Sequence, residues 1–161
     1  MIIRHATADD AAAMLEIYRP IVEDTATSFE LVVPTVDEFA TRIEKYISTH
    51  EWLVAEVDGD PGGYAYASPH RPREAYRFSA EVSVYVHPHF RGKGVGKKLY
   101  TALFDSIRKL GFHYAYAGIT LPNDASVALH KACGFSEIGT FSEVGFKYDS
   151  WHDVSWWQRK I

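Results

Sequence analysis

Apolar residues recur along this chain with two different periods, and each change of period marks the boundary of a predicted element. Near the amino end, residues 2–4 predict a short strand, and two segments after it repeat apolar residues every three or four positions, as amphipathic helices do. The first helix follows Thr7 and Asp10, which resemble a capping box. The second begins at the capping box of Thr35 and Glu38.

The middle of the chain changes to strand patterns. Residues 52–57 and 63–67 flank the turn sequence Asp58-Gly59-Asp60, so they predict a hairpin. Residues 78–86 predict a further strand, because apolar residues tend to alternate up to a His-Pro dipeptide. Between these strands, residues 68–76 contain prolines and charged residues and predict an exposed loop.

The remaining segments predict two helices and three strands. Their ranges, in chain order, are a helix over 95–110 ended by Gly111, a strand over 113–119, a short helix to Ala132 capped by Asn123 or Asp124, and strands within 135–141 and 154–159. Helices and strands therefore mix along the whole chain. This order predicts an α/β (α+β) fold, with helices on the faces of a mixed sheet.

Length and composition limit the classes of protein that fit. A chain of 161 residues is the size of one domain, so residues 1–161 are expected to form a single unit. The net charge of −4 argues against nucleic acid as the main partner. The chain has no membrane-length apolar run, no signal-peptide pattern and one cysteine, so we expect a cytoplasmic protein without a disulfide or membrane partner. The eight histidines show no metal-ligand spacing, so no metal is expected.

The sharpest local signal is a glycine-rich, basic turn between a strand and a helix. Glycines allow the backbone to approach a ligand and direct several N–H groups at it, and the following helix adds the positive end of its dipole. Mobile positive charge lies on the same segment. The turn therefore predicts a pyrophosphate site, formed by Arg91-Gly92-Lys93-Gly94-Val95-Gly96-Lys97-Lys98.

Two common phosphate-binding motifs do not fit this turn. A Walker loop requires glycine at Arg91 and serine or threonine at Lys98. A dinucleotide-binding fingerprint requires a third glycine at Lys97. The turn therefore belongs to a different class of phosphate site, unless it is a flexible turn with solvated lysines.

Arg91, Gly94 and Gly96 match the Gln/Arg-x-x-Gly-x-Gly/Ala signature of the GNAT acetyltransferase superfamily, which the chain resembles. The likeness extends to Glu81-Val-Ser-Val-Tyr-Val-His87, to residues 121–130 and 145–154, and to the closing Trp156-Trp157-Gln158-Arg159. These segments resemble the phosphinothricin N-acetyltransferase branch. The resemblance implies a mostly antiparallel sheet of about seven strands with about four helices, acetyl-CoA as cosubstrate and a homodimer.

The resemblance also implies roles for particular residues. The pantetheine arm of acetyl-CoA would pair with the backbone of Val84, Tyr85 and Val86, and Asn123 would lie near the thioester. The pyrophosphate would bind Arg91, Gly92, Lys93, Gly94, Val95, Gly96 and Lys97. The amino-acid substrate would meet Arg71, Pro72, Arg73, Glu81, Val82 and Ser83.

Acetyl transfer to an amine requires a base, and an acid to protonate the leaving thiolate. The resemblance assigns Glu81 as the general base, acting directly or through water. His130 stands where many relatives carry a tyrosine, so an imidazolium there is a candidate acid, with a packed histidine as the alternative. Cys133 is expected to be a packing residue.

The expected substrate is the α-amine of phosphinothricin, methionine sulfoximine or methionine sulfone. Arginines at positions 71 and 73 would suit its anionic group. Three alternatives stay open: an acetyltransferase for a protein N-terminus, a polyamine or an antibiotic; a toxin-type enzyme that acetylates aminoacyl-tRNA; and an acetyl-CoA-binding regulatory module without turnover.

Overall fold

Seven strands and four α-helices follow one another along residues 1–161, all of which the computed structural model describes. The strands are β1 (Ile2–His5), β2 (Glu51–Val57), β3 (Asp60–Pro69), β4 (Ser79–Val86), β5 (Tyr114–Thr120), β6 (Ser136–Lys147) and β7 (Ser150–Lys160). The helices are α1 (Ala11–Asp24), α2 (Val36–Ile47), α3 (Val95–Lys109) and α4 (Asp124–Ala132). The predicted α/β (α+β) class and the order of elements are confirmed.

The strands form one sheet in the order β1-β2-β3-β4-β5-β7-β6. Every neighbouring pair is antiparallel except β4 and β5, which run parallel. These two strands pair only where Ser79, Ala80 and Glu81 face residues 114–116. Beyond Glu81 the two strands no longer pair, so the sheet opens at its centre.

Two apolar clusters cover the two faces of the sheet, and strand alternation assigns residues to each. In β2, Leu53 and Ala55 face the cluster that contains α3, whereas Trp52 and Val54 face the cluster that contains α1 and α2. Because both faces of this strand are covered, it appears in the sequence as a continuous apolar run rather than a clean alternation.

Helix caps form largely as the sequence predicts. The Thr35 hydroxyl accepts the Glu38 N–H at 3.2 Å, and the Glu38 carboxylate accepts the Thr35 N–H at 2.8 Å. Of the two candidate caps for α4, Asn123 serves: its side-chain oxygen accepts the Ser126 N–H at 3.2 Å. Cys133, just after this helix, is buried, and burial raises the pKa of its thiol.

The sequence predicts one of two hairpin turns, that between β2 and β3, but not the turn between β6 and β7. Asp58 and Gly59 turn with positive φ angles of 56° and 92°, as their residue types predict. Tyr148 and Asp149 also turn with positive φ, at 53° and 54°, although neither is a glycine. β6 and β7 extend up to this turn and are longer than the sequence predicts. The Tyr148 hydroxyl in the turn donates to the carbonyl of Val22 at 2.9 Å.

Candidate functional site

The gap between β4 and β5 exposes backbone groups on the inner edge of β4. His87 N–H donates to the carbonyl of Gly62 on the β3 side at 3.0 Å, so alternate residues of β4 bond to β3. By this alternation Tyr85 bonds to Tyr64, whereas Val84 directs its backbone groups into the gap. An extended ligand lying in the gap can therefore pair with β4 like an added strand.

This register refines the predicted role of three consecutive β4 residues. Val84 and Val86 present backbone groups to the gap, but the backbone of Tyr85 is directed at β3. The Val86 carbonyl already accepts from the Arg91 guanidinium at 3.3 Å. Tyr85 still lines the groove, but its register does not support the backbone pairing predicted for it.

The glycine-rich turn lies at the mouth of this gap, at the beginning of α3. Gly92 and Gly94 have φ angles of 72° and 78°, and a Cβ on either would meet no atom within 4 Å, so the space above the backbone is open. Gly94 is the N-cap and offers no side-chain cap. The first helical hydrogen bond is donated by Lys98, so the amides of Val95, Gly96 and Lys97 have no partner within the helix.

A groove of about 490 Å³ runs from this turn along β4 to the beginning of α4. It is lined by most of the residues predicted to bind the cosubstrate: Val84, Tyr85, Val86, Arg91, Gly92, Gly94, Val95, Gly96, Lys97 and Asn123. Lys93 is the exception, because its ammonium lies over the ring of Phe90, 5.2 Å from the centroid, outside the lining. An elongated groove with free amides and two basic side chains, Arg91 and Lys97, at one end fits a pyrophosphate-bearing chain such as coenzyme A.

A small cavity of about 60 Å³ continues from the groove toward the interior. It shares Thr27, Val84 and Asn123 with the groove, and it adds Tyr100 and His130. We call this cavity the junction, because it also shares Thr27, Val82 and Ser83 with a second pocket on its other side.

The imidazole of His130 is held in the junction by hydrogen bonds at both ring nitrogens, an arrangement that suits a neutral ring. Its Nδ1 lies 2.7 Å from the carbonyl of Ser126, which only accepts, so Nδ1 carries the hydrogen. Nε2 then accepts from the Tyr100 hydroxyl at 3.0 Å. Burial lowers the pKa of His130. Of the two interpretations left open by the sequence, an imidazolium acid and a packed histidine, burial and the engagement of both nitrogens favour the packed, uncharged ring.

On the far side of the junction lies a second pocket of about 400 Å³. Four residues predicted to meet the substrate line it: Arg71, Glu81, Val82 and Ser83. Its opposite wall is apolar and consists of Phe29, Phe141, Val144, Val154 and Trp156. Pro72 and Arg73 are exposed and do not line the pocket, because the chain turns away after Arg71 into a short 3-10 helix. Of the three loop residues predicted to meet the substrate, the pocket therefore includes only Arg71.

Glu81 lies in this pocket as a half-buried carboxylate. Burial raises its pKa, while a hydrogen bond and charge from His70 and the charge of Arg71 act in the opposite direction. His70 Nδ1 lies 3.0 Å from Glu81 Oε1. A carboxylate with a raised pKa beside a cleft has the proton affinity that a general base for an amine needs.

Several residues of the site were not found from the sequence, among them Thr27, Phe29 and His70. Thr27 lines all three cavities and Phe29 the acceptor pocket, yet both lie in an irregular segment between α1 and α2 that carries no motif. Lys147 holds this segment: its buried ammonium donates to the carbonyls of Val22 at 2.7 Å and Ser28 at 2.9 Å. The attachment of this segment by Lys147 is visible only in the folded structure, because Ser28 and Lys147 are more than a hundred positions apart in the chain.

Comparison with known proteins identifies the family to which this chain belongs. The family model described as "Acetyltransferase (GNAT) domain" matches residues 3–156. A phosphinothricin N-acetyltransferase of Streptomyces viridochromogenes is 41% identical over 157 residues, covering 98% of this chain and 86% of the relative. An L-methionine sulfoximine/L-methionine sulfone acetyltransferase of Salmonella typhimurium is 36% identical over 162 residues, covering 100% and 95%.

Solved structures of acetyltransferases superpose on this chain over nearly its full length. A phosphinothricin acetyltransferase from Sinorhizobium meliloti in complex with acetyl-CoA superposes with a TM-score of 0.95 at 38% identity, covering 99% of this chain and 88% of that one. A ribosomal-protein-alanine N-acetyltransferase from Brucella melitensis superposes with a TM-score of 0.96, also at 38% identity, covering 100% of both chains. None of the helices in this fold has the length and apolar character needed to cross a membrane.

Proposed function

The chain belongs to the GNAT acetyltransferase family and is an acetyl-CoA-dependent N-acetyltransferase, and we propose that its acceptor is the α-amine of a small amino-acid analogue. Phosphinothricin, methionine sulfoximine and methionine sulfone are the proposed acceptors, since relatives that cover nearly the whole chain bear these names. The observation that carries the proposal is the pocket of about 400 Å³, in which a half-buried carboxylate faces apolar walls and one arginine.

The two ends of this pocket suit the two ends of such an acceptor. Arg71 offers a guanidinium to a carboxylate, phosphinate or sulfone oxygen. The apolar wall, which includes Phe141 and Trp156, accepts the aliphatic part of the side chain. A polyamine would instead favour a pocket rich in carboxylates, and Glu81 is the only one in the lining.

Glu81 acts in this proposal as the general base. An α-amine with a pKa of about 8 is largely protonated at neutral pH, and only its neutral form attacks a thioester. Glu81 takes the proton, directly or through one water, as the nitrogen approaches the carbonyl carbon. General base catalysis of this kind contributes roughly 10²–10⁴-fold.

The backbone of Val84 completes the arrangement at the junction. Its N–H points into the gap and is available to the thioester oxygen, where charge develops during the transfer. His130 is proposed to hold the junction in shape through Tyr100 and Ser126. Because its ring is neutral, the proton for the departing thiolate comes from another source, for which water is the simplest choice.

A panel of amines tests acceptor and base together. The rate of CoA release from acetyl-CoA would be measured with phosphinothricin, methionine sulfoximine, methionine sulfone, ordinary amino acids, spermidine and a peptide with N-terminal alanine. Glu81→Gln, which keeps the size of the side chain, is expected to lower kcat by about 10²–10⁴-fold. Unchanged turnover in Glu81→Gln would refute the general-base role.

A protein N-terminus is the second candidate acceptor, because the Brucella melitensis structure is described as a ribosomal-protein-alanine N-acetyltransferase. The alanine peptide in the panel discriminates the two. Turnover of the peptide with no turnover of the amino-acid analogues would replace our proposal with this one. Tight acetyl-CoA binding without turnover of any amine would favour the regulatory module.

We also propose that two copies associate through the β6–β7 hairpin. Large apolar side chains are exposed along it, namely Ile138, Phe141, Val144, Phe146, Tyr148 and Trp151. A patch of this kind commonly marks a protein–protein interface. Sedimentation equilibrium is expected to give twice the mass of 18.2 kDa, and Trp151→Glu is expected to shift the protein toward monomer. A wild-type protein that stays monomeric at high concentration would refute this association.

A further inference from the structure

His70 lies directly beside the proposed base, at the end of β3. Its ring stacks on Tyr116 of β5, with centroids 4.5 Å apart and planes at 19°. Tyr76 and Trp156 approach it edge-on at 5.9 and 6.2 Å. The side chain is only 14% exposed. A ring enclosed on three sides has little rotational freedom, so its nitrogens are held in fixed directions.

One of those nitrogens points at Glu81. Nδ1 lies 3.0 Å from Oε1, which is hydrogen-bonding distance. An ionised carboxylate only accepts hydrogen bonds, so Nδ1 must carry the hydrogen and donate it. The bond occupies one carboxylate oxygen, while Glu81 still lines the acceptor pocket. One oxygen is thus fixed, and the other is free for an amine or a water.

We propose that His70 is a positioning residue for Glu81, whose Nδ1–H holds the carboxylate toward the acceptor and favours its ionised, proton-accepting form. This inference rests on the proposed function, in which Glu81 is the base. It assigns His70 a part in the reaction without contact to the reacting atoms.

The groups around His70 and Glu81 determine how the protonation of Glu81 should change when the His70 ring is replaced. Two neighbouring side chains favour the ionised form of Glu81, the hydrogen-bonding ring of His70 and the guanidinium of Arg71. The remaining titratable neighbours of His70 are the phenols of Tyr76 and Tyr116, which stack or approach edge-on. Replacing the ring nitrogens with carbon therefore removes one stabilising donor and leaves burial to act against the charge, so Glu81 should bind its proton more tightly.

Two variants separate the hydrogen bond from the packing. His70→Phe keeps an aromatic ring on Tyr116 but has no donor. His70→Asn loses the ring but carries an amide N–H near the position of Nδ1. The ratio of kcat/KM at pH 6 to that at pH 8.5 is expected to fall about tenfold in His70→Phe, since a hydrogen bond to a charged group is worth about 1.5–3 kcal/mol. In His70→Asn the ratio should stay near wild type.

A direct titration makes the test independent of turnover. The side-chain carboxyl of Glu81 would be followed by ¹³C NMR in glutamate-labelled protein, with Glu81→Gln identifying the signal. A higher midpoint in His70→Phe than in the wild type and His70→Asn is the expected result. Equal midpoints and equal pH profiles in wild type and His70→Phe would overturn the proposal, even with a lower melting temperature.

The same variants distinguish a failure of this inference from a failure of the proposed base. If Glu81→Gln keeps wild-type turnover, the general-base role fails, and the NMR midpoints alone then report whether the pair exists. If Glu81→Gln is inactive while His70→Phe leaves profile and midpoint unchanged, the base stands and the positioning role of His70 fails. Acetyl-CoA affinity serves as the control for folding in every variant.

Discussion

Replacing Lys147 with methionine tests how the acceptor side of the site is held together. Lys147 is 4% exposed, and its ammonium donates to the carbonyls of Val22 and Ser28. These carbonyls belong to the end of α1 and to the segment that carries Thr27 and Phe29 into the cavities. Methionine has nearly the same volume, so the substitution removes the charge and the two hydrogen bonds without opening a cavity.

The expected loss of stability follows from two opposing terms. Hydrogen bonds to a charged group contribute about 1.5–3 kcal/mol each. The buried ammonium has lost part of its hydration, which lowers the pKa of Lys147, and methionine avoids that cost. Because the two effects oppose each other, we expect a net destabilisation of about 2 kcal/mol, less than the sum of the two bonds. For a chain of this size that corresponds to a melting temperature lower by about 4–8 °C.

Differential scanning calorimetry and acceptor kinetics would measure the two consequences. Lys147→Met should lower the melting temperature by this amount and raise the KM of the acceptor, because Thr27 and Phe29 lose their support. Tyr148→Phe is the matched control: it removes a more exposed donor to the same Val22 carbonyl and should cost about 1 kcal/mol or less. A Lys147→Met protein that melts within 1 °C of wild type, with unchanged acceptor KM, would refute this reasoning.

Three further predictions concern other parts of the site. Arg71→Ala should raise the acceptor KM while Arg73→Ala leaves it unchanged, because only Arg71 lines the pocket; equal effects in steady-state kinetics would contradict the assignment. Gly94→Ala should weaken acetyl-CoA binding, measured by calorimetry, and cost about 1–2 kcal/mol of stability, since its φ of 78° disfavours a side chain; unchanged affinity and stability would contradict it. Burial raises the pKa of Glu81, so its contribution to stability is full below the ordinary pKa of a glutamate and is lost as the pH rises through the pKa in the folded protein. Glu81→Gln should therefore melt at a higher temperature than wild type at pH 8 but not at pH 4. A lower melting temperature of Glu81→Gln at pH 8 would argue against net desolvation of Glu81.

The cofactor side of the site was largely predictable because its chemistry is local. Gly92, Gly94 and Gly96 would present their own backbone to the cosubstrate, and α3 begins within the same segment. A short segment therefore contains the whole turn. The same locality explains why the cap at Asn123 was found, since its partner Ser126 is three residues away.

The acceptor side was predicted only in part because its walls come from distant segments. Glu81 was identified through a family resemblance, but its partner His70 lies eleven residues away across a loop, and no motif links the two. The sequence left His130 open between an imidazolium acid and a packed histidine for a similar reason. Whether an imidazole is charged depends on burial and on Tyr100, which lies thirty positions earlier in the chain.

The sequence by itself determined the class of fold, the order of the elements and the phosphate-binding turn, because periodicity, caps and glycine conformations act within a few residues. The tertiary structure decided which residues meet: the register that turns Val84 into the gap, the departure of Pro72 and Arg73 from the pocket, and the attachment of the Thr27 segment by Lys147. Charge states also belong to the fold, because desolvation depends on everything packed around a group rather than on its neighbours in the chain.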